Sequence, residues 1–233
     1  MSRRRLLLTM AVVMVATGCF GWGASTAQAQ RRIDGWGKMV DPDRDCNAQL
    51  ASNRLKIIVP RGVKDLYYGG GKDGRGQFNA PRVMQTISGD FTMTVRVTAN
   101  LQNGLDAGGY NGAGLLLWDS PKQYLRLERN RFVGKQSGKR RFSYTTPLYD
   151  LNNHRTFVNA TRDEFFEGRA TWLRMARRDD KIVSQMSVDG ENWTTLGTVS
   201  GRFPDLVSIG VCVVSTTRGP LEVEFDEFKI EKE

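Results

Sequence analysis

The fold is decided by Trp172-Leu173-Arg174-Met175, followed by Ser187-Val188-Asp189-Gly190-Glu191-Asn192-Trp193 and then by Phe225-Asp226-Glu227-Phe228-Lys229-Ile230. Apolar and polar residues alternate in the first and last of these segments, which is the period of a strand with one buried face. Asp189-Gly190 is a strong hairpin signal, so we predict a tight turn there between two antiparallel strands.

The same period of two recurs along the chain, and helical periodicity over three turns is absent. Residues 91–97 alternate most clearly, and the turn composition of 119–122 joins residues 114–118 and 123–129 into a predicted hairpin. The Gly-rich stretches 69–76 and 104–114 indicate loops. We predict one all-β domain over residues 30–233, a sandwich with strands near 55–59, 91–97, 114–118, 123–129, 141–146, 171–177, 182–188, 193–199, 207–214 and 221–230.

Residues 1–29 have the pattern of an export signal. Three arginines precede an apolar stretch from Leu6 to Ala16 that is too short to span a bilayer, and Ala27-Gln28-Ala29 is typical of a cleavage site. The arginines also resemble a twin-arginine signal, and 16–19 resembles a lipoprotein site that would lipidate Cys19. We expect a secreted or periplasmic protein, or an envelope lipoprotein; a membrane partner is expected only if Cys19 is lipidated.

Net charge limits the classes of ligand that we expect, and the cysteine content limits the possible disulfides. Residues 1–29 hold three arginines and no acid, so their removal lowers the formal net charge from +9 to +6. In an exported protein this excess favours an anionic glycan or envelope surface over nucleic acid, although a basic surface can also serve solubility alone. Cys46 and Cys212 would remain, as one disulfide or as free thiols.

Several short motifs together resemble the concanavalin A-like lectin/glucanase superfamily, and more narrowly the non-catalytic β-sandwich at the C-terminus of β-xylosidases and related exported bacterial proteins. The resemblance covers about residues 33–232 and rests on Ala80-Pro81-Arg82, Gly89-Asp90-Phe91, 113–116, 172–174, Ser187-x-Asp189-Gly190-x-x-Trp193, Gly210 and Phe225-Asp226-x-Phe228. It implies a jelly roll of two antiparallel sheets, one of which carries carbohydrate in sugar-binding relatives. Fold alone does not assign function.

Glycoside hydrolysis requires two carboxylates that face one groove. Glu222, Glu224 and Asp226 share a strand face, but their order differs from the superfamily's glucanase signature and they lie on the last strand. Glu128 is the other carboxylate that an enzyme of this fold could use. His154 is the single histidine, which excludes a multi-histidine metal site. We therefore predict no catalytic residues.

Asp41, Asp43 and Asp45 alternate with other residues over a short stretch. Carboxylates at such spacing can converge on Ca²⁺, so a structural calcium ion is the one cofactor the sequence suggests. An exposed turn closed by local hydrogen bonds explains the same residues.

The best candidate for a carbohydrate-binding surface is a pair of strand faces. Alternation places Tyr124, Arg126 and Glu128 together on one face, and Trp172 and Arg174 together on another. If the two strands were neighbours, these aromatic and charged groups would form a mixed surface that suits sugars. Solvated cross-strand pairs, or Trp172 in the core, explain the same pattern.

We therefore expect an exported, non-catalytic carbohydrate-binding or carbohydrate-associated module whose partner is a polysaccharide or other glycan. The alternatives are a glycoside hydrolase or lyase of the same fold, and an envelope structural or protein-interaction domain without a glycan ligand.

Overall fold

A computed structural model describes residues 31–67, 76–101, 104–136, 140–149, 155–162, 170–200 and 203–233, with the backbone alone described for 140–149, 155–162 and Thr217. The predicted signal peptide with Cys19, residues 69–75 of the first Gly-rich stretch, and His154 lie outside the described residues.

Every regular element in the described part of the chain is a strand, which confirms the all-β prediction. Accordingly, the described residues offer no helix long and apolar enough to span a membrane. The strands are β1 (Arg32–Ile33), β2 (Gly37–Val40), β3 (Asn47–Ala51), β4 (Arg54–Val59), β5 (Gly62–Lys64), β6 (Leu66–Tyr67), β7 (Gln77–Phe78), β8 (Arg82–Ile87), β9 (Phe91–Ala99), β10 (Tyr110–Ser120), β11 (Gln123–Val133), β12 (Arg140–Tyr149), β13 (Arg155–Arg162), β14 (Thr171–Arg178), β15 (Lys181–Ser187), β16 (Thr194–Ser200), β17 (Val207–Thr217) and β18 (Leu221–Lys232).

Two large antiparallel sheets form a sandwich of the jelly-roll type. Sheet A has the order β1-β2-β8-β17-β10-β11-β12-β13, with β5 also paired to β17, and sheet B has the order β16-β15-β14-β9-β18-β4-β3. The hairpin predicted around residues 119–122 is present as β10–β11, and its register places Trp118 opposite Tyr124. In sheet A, β1 and β2 are spatial neighbours, as are the consecutive strands from β10 to β13, whereas β17 lies between β8 and β10.

The main core lies between the inner faces of the two sheets. Phe91, Met93, Val95 and Val97 of β9 are all fully buried, as the alternation predicts. Leu115 and Leu117 of β10 come from the facing sheet and join the same cluster. Full burial of such side chains contributes about 1.5–3 kcal/mol each to folding.

A β-bulge explains the spacing of Phe225 and Phe228. Residues three apart on a regular strand face opposite sides, yet Phe225 is buried in the core and Phe228 packs against it. The register of β18 against β9 shifts between Asp226 and Lys229, and Glu227 adopts φ 51°. The extra residue of the bulge returns Phe228 to the core side, where it stacks on Trp36 at a centroid distance of 4.9 Å.

The turn at Asp189-Gly190 is longer than predicted. Six residues, 188–193, separate β15 from β16, so the expectation of a tight Asp-Gly turn is wrong. The Asp189 carboxylate organises this loop by accepting hydrogen bonds from the Asn192 side chain and from the backbone N–H groups of Asn192 and Glu191, all at 2.8–2.9 Å. These hydrogen bonds hold the pKa of Asp189 well below its usual value, and the bond from the Asn192 side chain has the largest effect.

A second, smaller core lies on the outer face of sheet A. The two-stranded sheet of β6 and β7 packs there, and Leu66 of β6 is fully buried against Leu116 and Tyr124. Leu116 alternates with Leu115 and Leu117 of the main core, so it faces the opposite side of the sheet. The strands β6 and β7 thus cover part of the outer face of sheet A, and they determine which residues of that face remain accessible.

Candidate functional site

The predicted surface on β11 is buried. Tyr124 and Glu128 are fully buried and Arg126 is 2% exposed, so the expectation of an open, outward-facing row is wrong. The physical reason is the β6–β7 sheet on this face: the Tyr124 hydroxyl donates a hydrogen bond of 2.9 Å to the carbonyl oxygen of Leu66. Alternation identified the shared face correctly, but it could not predict what covers that face.

Arg126 and Glu128, both buried, form a polar group with the half-buried Tyr110 and Asp65, which we call the Arg126 cluster. The Tyr110 hydroxyl donates to Glu128 Oε2 at 2.5 Å, and Arg126 Nε lies 3.3 Å from Glu128 Oε1. Arg126 Nη1 lies 3.6 Å from Asp65 Oδ1. Burial of charges costs free energy unless they are paired, and such groups concentrate at functional sites.

Aromatic rings continue the same face toward the β10–β11 turn. Trp118 stacks on Tyr124 at a centroid distance of 5.0 Å, and Phe78 meets both rings edge-on at 6.1 and 6.3 Å. The Arg82 guanidinium lies 5.0 Å from the Trp118 ring centroid. We call Arg82, Trp118, Tyr124 and Phe78 the Trp118 cluster. Trp118 and Phe78 are half-buried, so this end of the face is accessible to a ligand.

Small residues allow Arg82 to reach Trp118 across β17. Cys212 is the register partner of Arg82, and Gly210 follows on the same face of that strand. A Cβ at Gly210 would lie 1.9 Å from the Val83 carbonyl oxygen, so only glycine fits there. Trp118 could have been found from the hairpin register opposite Tyr124. The motif Ala80-Pro81-Arg82 marks Arg82 in the sequence, but it does not predict the contact with Trp118.

Trp172 and Arg174 lie on the other sheet. β14 belongs to sheet B and β11 to sheet A, so the expectation that these strands display one joint surface is wrong. Trp172 is half-buried: Arg96 lies 5.0 Å from its ring centroid, and a Cβ at Gly190 would lie 3.2 Å from its Cε2. Its indole N–H donates to Glu227 Oε2 at 2.9 Å. Arg174 lies 3.6 Å from the Trp193 ring centroid. These contacts give Trp172 a structural role.

The acidic residues of β18 form cross-strand ion pairs. Glu222 and Glu224 lie 3.3 and 3.1 Å from Lys56 Nζ on β4, and Asp226 lies 3.2 Å from Arg96 Nη1 on β9. Such pairs on a solvated sheet face are an ordinary structural arrangement.

The acidic loop at 41–46 is closed by a lysine. Lys64 is 3% exposed, and its Nζ lies 2.6 Å from both Asp43 Oδ2 and Asp45 Oδ1. Asp41 instead accepts the backbone N–H of Cys46 at 2.8 Å. Asp41, Asp45 and Cys46 do offer ligand atoms within 4.8 Å of one another. The Ca²⁺ site stays a prediction, and the buried ammonium between two of its three carboxylates argues against it.

Cys46 and Cys212 are free thiols. Burial raises the pKa of Cys212 well above its usual value, with the charge of Glu128 as the next cause, and burial followed by the charge of Asp41 does the same for Cys46. Neither thiol is therefore poised as a nucleophile.

Comparison with solved structures supports the β-sandwich fold. A functionally unknown protein from Saccharomyces cerevisiae aligns with TM-score 0.69 and 16% identity, over 85% of this chain and 97% of that one. The xylan β-1,4-xylosidase from Bacillus halodurans C-125 aligns with TM-score 0.52 and 12% identity, over 87% of this chain and 40% of the xylosidase. The carbohydrate-binding module CBM66 from Bacillus subtilis aligns with TM-score 0.51 and 10% identity, over 87% of this chain and the whole module.

The chain belongs to the family described as protein of unknown function DUF1349, whose model matches residues 46–233. Among curated proteins, none matches this sequence. These structural similarities support the fold predicted from the motifs. At sequence identities of 10–16% they show similarity of fold and nothing about function.

Proposed function

We propose that this chain is an exported, non-catalytic carbohydrate-binding module that holds a polysaccharide on the outer face of sheet A. The observation that carries the proposal is the composition of that face: the Trp118 cluster adjoins the buried Arg126 cluster. Aromatic rings pack against the C–H faces of sugars, and the buried Glu128 carboxylate orients the Tyr110 ring through a hydrogen bond. The fold similarity to CBM66 and to part of a xylosidase is consistent with this role.

Two half-buried aromatic side chains lie on this face, on either side of Leu116, which Leu66 of β6 covers. Tyr110 and Trp118 lie at opposite ends of one strand, eight residues apart, and a rise of about 3.3 Å per residue separates them by roughly 26 Å. Tyr110 is oriented by its hydrogen bond to Glu128, and an aromatic ring held in place loses little entropy when a ligand binds.

A glycan array followed by titration of each hit tests the proposal. Trp118→Phe and Tyr110→Phe keep an aromatic ring at each end of the face, and we expect both to weaken binding by about tenfold or less, since each removes part of a contact. Trp193→Phe is the matched control, because Trp193 also carries an arginine over its ring but belongs to the opposite sheet. Binding to no glycan, or loss of binding in Trp193→Phe alone, would overturn the proposal.

The absence of catalysis is part of the proposal. The β18 acids are ion-paired with Lys56 and Arg96, and Glu128 is engaged by Tyr110 and Arg126. We expect neither reducing-sugar release nor unsaturated products from any bound polysaccharide. Product formation that disappears in Glu128→Gln but persists in Glu227→Gln would instead establish an enzyme.

Export is proposed from residues 1–29. N-terminal sequencing of the native protein should begin at Gln30, in the periplasm or outside the cell. A lipid-modified Cys19 at the mature terminus would instead identify the lipoprotein alternative.

A further inference from the structure

Arg82 differs from the arginines of the two sheets that form ion pairs. Arg54, Arg96, Arg126 and Arg178 each lie within 4.0 Å of a carboxylate oxygen. Within the described part of the chain, Arg82 has no carboxylate partner. Its Nη1 donates to the carbonyl oxygens of Phe78 at 3.3 Å and Ala80 at 3.1 Å.

The two remaining donor nitrogens of Arg82 form an open fork. Nε and Nη2 make no hydrogen bond with any described residue, and neither belongs to the buried atoms that lack a partner, so solvent reaches them. These adjacent N–H groups match the two oxygens of a carboxylate, which arginine binds through parallel hydrogen bonds.

The fork is held in place before any ligand arrives. Nη1 is fixed by two carbonyl groups, and the guanidinium lies over Trp118, which is itself braced by Tyr124 and Phe78. Burial lowers the pKa of Arg82, which shows that its charge is incompletely solvated, and a bound anion would offset that cost. Arg126 cannot bind a ligand carboxylate in this way, because Glu128 and Asp65 already flank its guanidinium group.

We infer that the glycan bound on this face is an acidic polysaccharide, whose carboxylate is held by Nε and Nη2 of Arg82 beside the Trp118 ring. This inference rests on the proposed function and specifies its ligand class. The contact is a charge-assisted pair at a partly desolvated position, where it contributes more than on an open surface. The formal charge of +6 expected after removal of residues 1–29 would further attract such a polymer.

The test uses a panel of uronate-containing polysaccharides, each in its native form and with its carboxyl groups reduced to alcohols. The mature protein should bind at least one native polymer about tenfold or more tightly than the reduced form, because an alcohol cannot form the charge-assisted hydrogen bonds that Arg82 makes with a carboxylate. Arg82→Gln should abolish this preference while leaving the reduced polymer bound as before, and Arg82→Lys should restore only part of it. Binding to native polymer should also weaken with added salt.

Arg174→Gln is the matched control, because Arg174 lies over Trp193 in the same manner on sheet B. It should bind native polymer as the wild type does. Equal affinity for native and reduced polymers, weakened alike by Trp118→Phe, would overturn the acidic ligand and leave the proposed function intact. Failure to bind any polysaccharide overturns both. A preference for native polymer that survives in Arg82→Gln would refute the role of Arg82.

Discussion

Replacement of the buried Lys64 by methionine tests whether the acidic loop depends on an internal ammonium. Lys64→Met keeps most of the side-chain volume and removes the charge that lies 2.6 Å from Asp43 and Asp45. Hydrogen bonds between charged groups contribute about 1.5–3 kcal/mol each. The carboxylates are 41% and 45% exposed and can be rehydrated, so we expect a total loss of about 2 kcal/mol. For a domain of this size that lowers Tm by about 4–8 °C.

The pH dependence of stability distinguishes a lost ion pair from lost packing. The hydrogen bond from Lys64 is the main cause that lowers the pKa of Asp43 below 3.8, so its contribution is present above pH 3.8 and is lost as pH falls through the folded-state pKa. Burial alone would lower the pKa of Lys64, but its bonds to Asp43 and Asp45 outweigh burial and raise it above 10.5. That contribution is present below pH 10.5 and is lost as pH rises further. The difference between wild type and variant should therefore be largest between about pH 4 and 10.

Thermal unfolding followed by circular dichroism is the assay, with Lys56→Met as the matched control. Lys56 also bridges two carboxylates, Glu222 and Glu224, but its side chain is 34% exposed, so its loss should lower Tm far less. Calcium provides a second readout. Ca²⁺ and chelator should leave the wild-type Tm unchanged, whereas millimolar Ca²⁺ should raise the Tm of Lys64→Met by occupying the vacated position. Equal losses in the two lysine variants, or a chelator-sensitive wild type, would refute the reasoning.

Three further predictions concern the bulge, the 188–193 loop and the thiols. Glu227→Val should destabilise the fold by about 1–3 kcal/mol in urea titration, because a β-branched residue is strained at φ 51°, whereas Glu227→Asn should cost less; equal losses would contradict the bulge argument. Gly190→Ala should lower Tm and change tryptophan fluorescence, because the methyl group meets Trp172 at 3.2 Å and φ is +83°; an unchanged spectrum would argue against that contact. Thiol titration of the unfolded mature protein should detect Cys46 and Cys212 without reductant, while the buried Cys212 should react slowly in the folded state; detection of no thiol would indicate a disulfide.

Much of the fold could be predicted because its determinants are local. Alternation in β9 and the turn before Gln123 predicted strands and a hairpin that the structure contains, since a period of two and a turn composition are written in adjacent residues. The strands β1 to β3, β5 to β8 and β13 were missed. For β1, β5, β6 and β7 the reason is their length, because two or three residues carry no readable period.

The candidate site could be predicted only in part, because its residues lie on strands that are distant in sequence and are brought together by strand pairing. The sequence determined that Tyr124, Arg126 and Glu128 share one face, since side-chain direction follows from strand geometry. It could not determine that β14 lies in the other sheet.

The sequence by itself determined an all-β chain, the strand faces and the motifs that predicted a β-sandwich. Only the tertiary structure decided that Lys64 occupies the acidic loop, that β6 covers Tyr124, and that Arg82 reaches Trp118 across β17. The physical reason is that burial and charge pairing depend on which distant segments meet. Strand order and register set those meetings, and no local pattern encodes them.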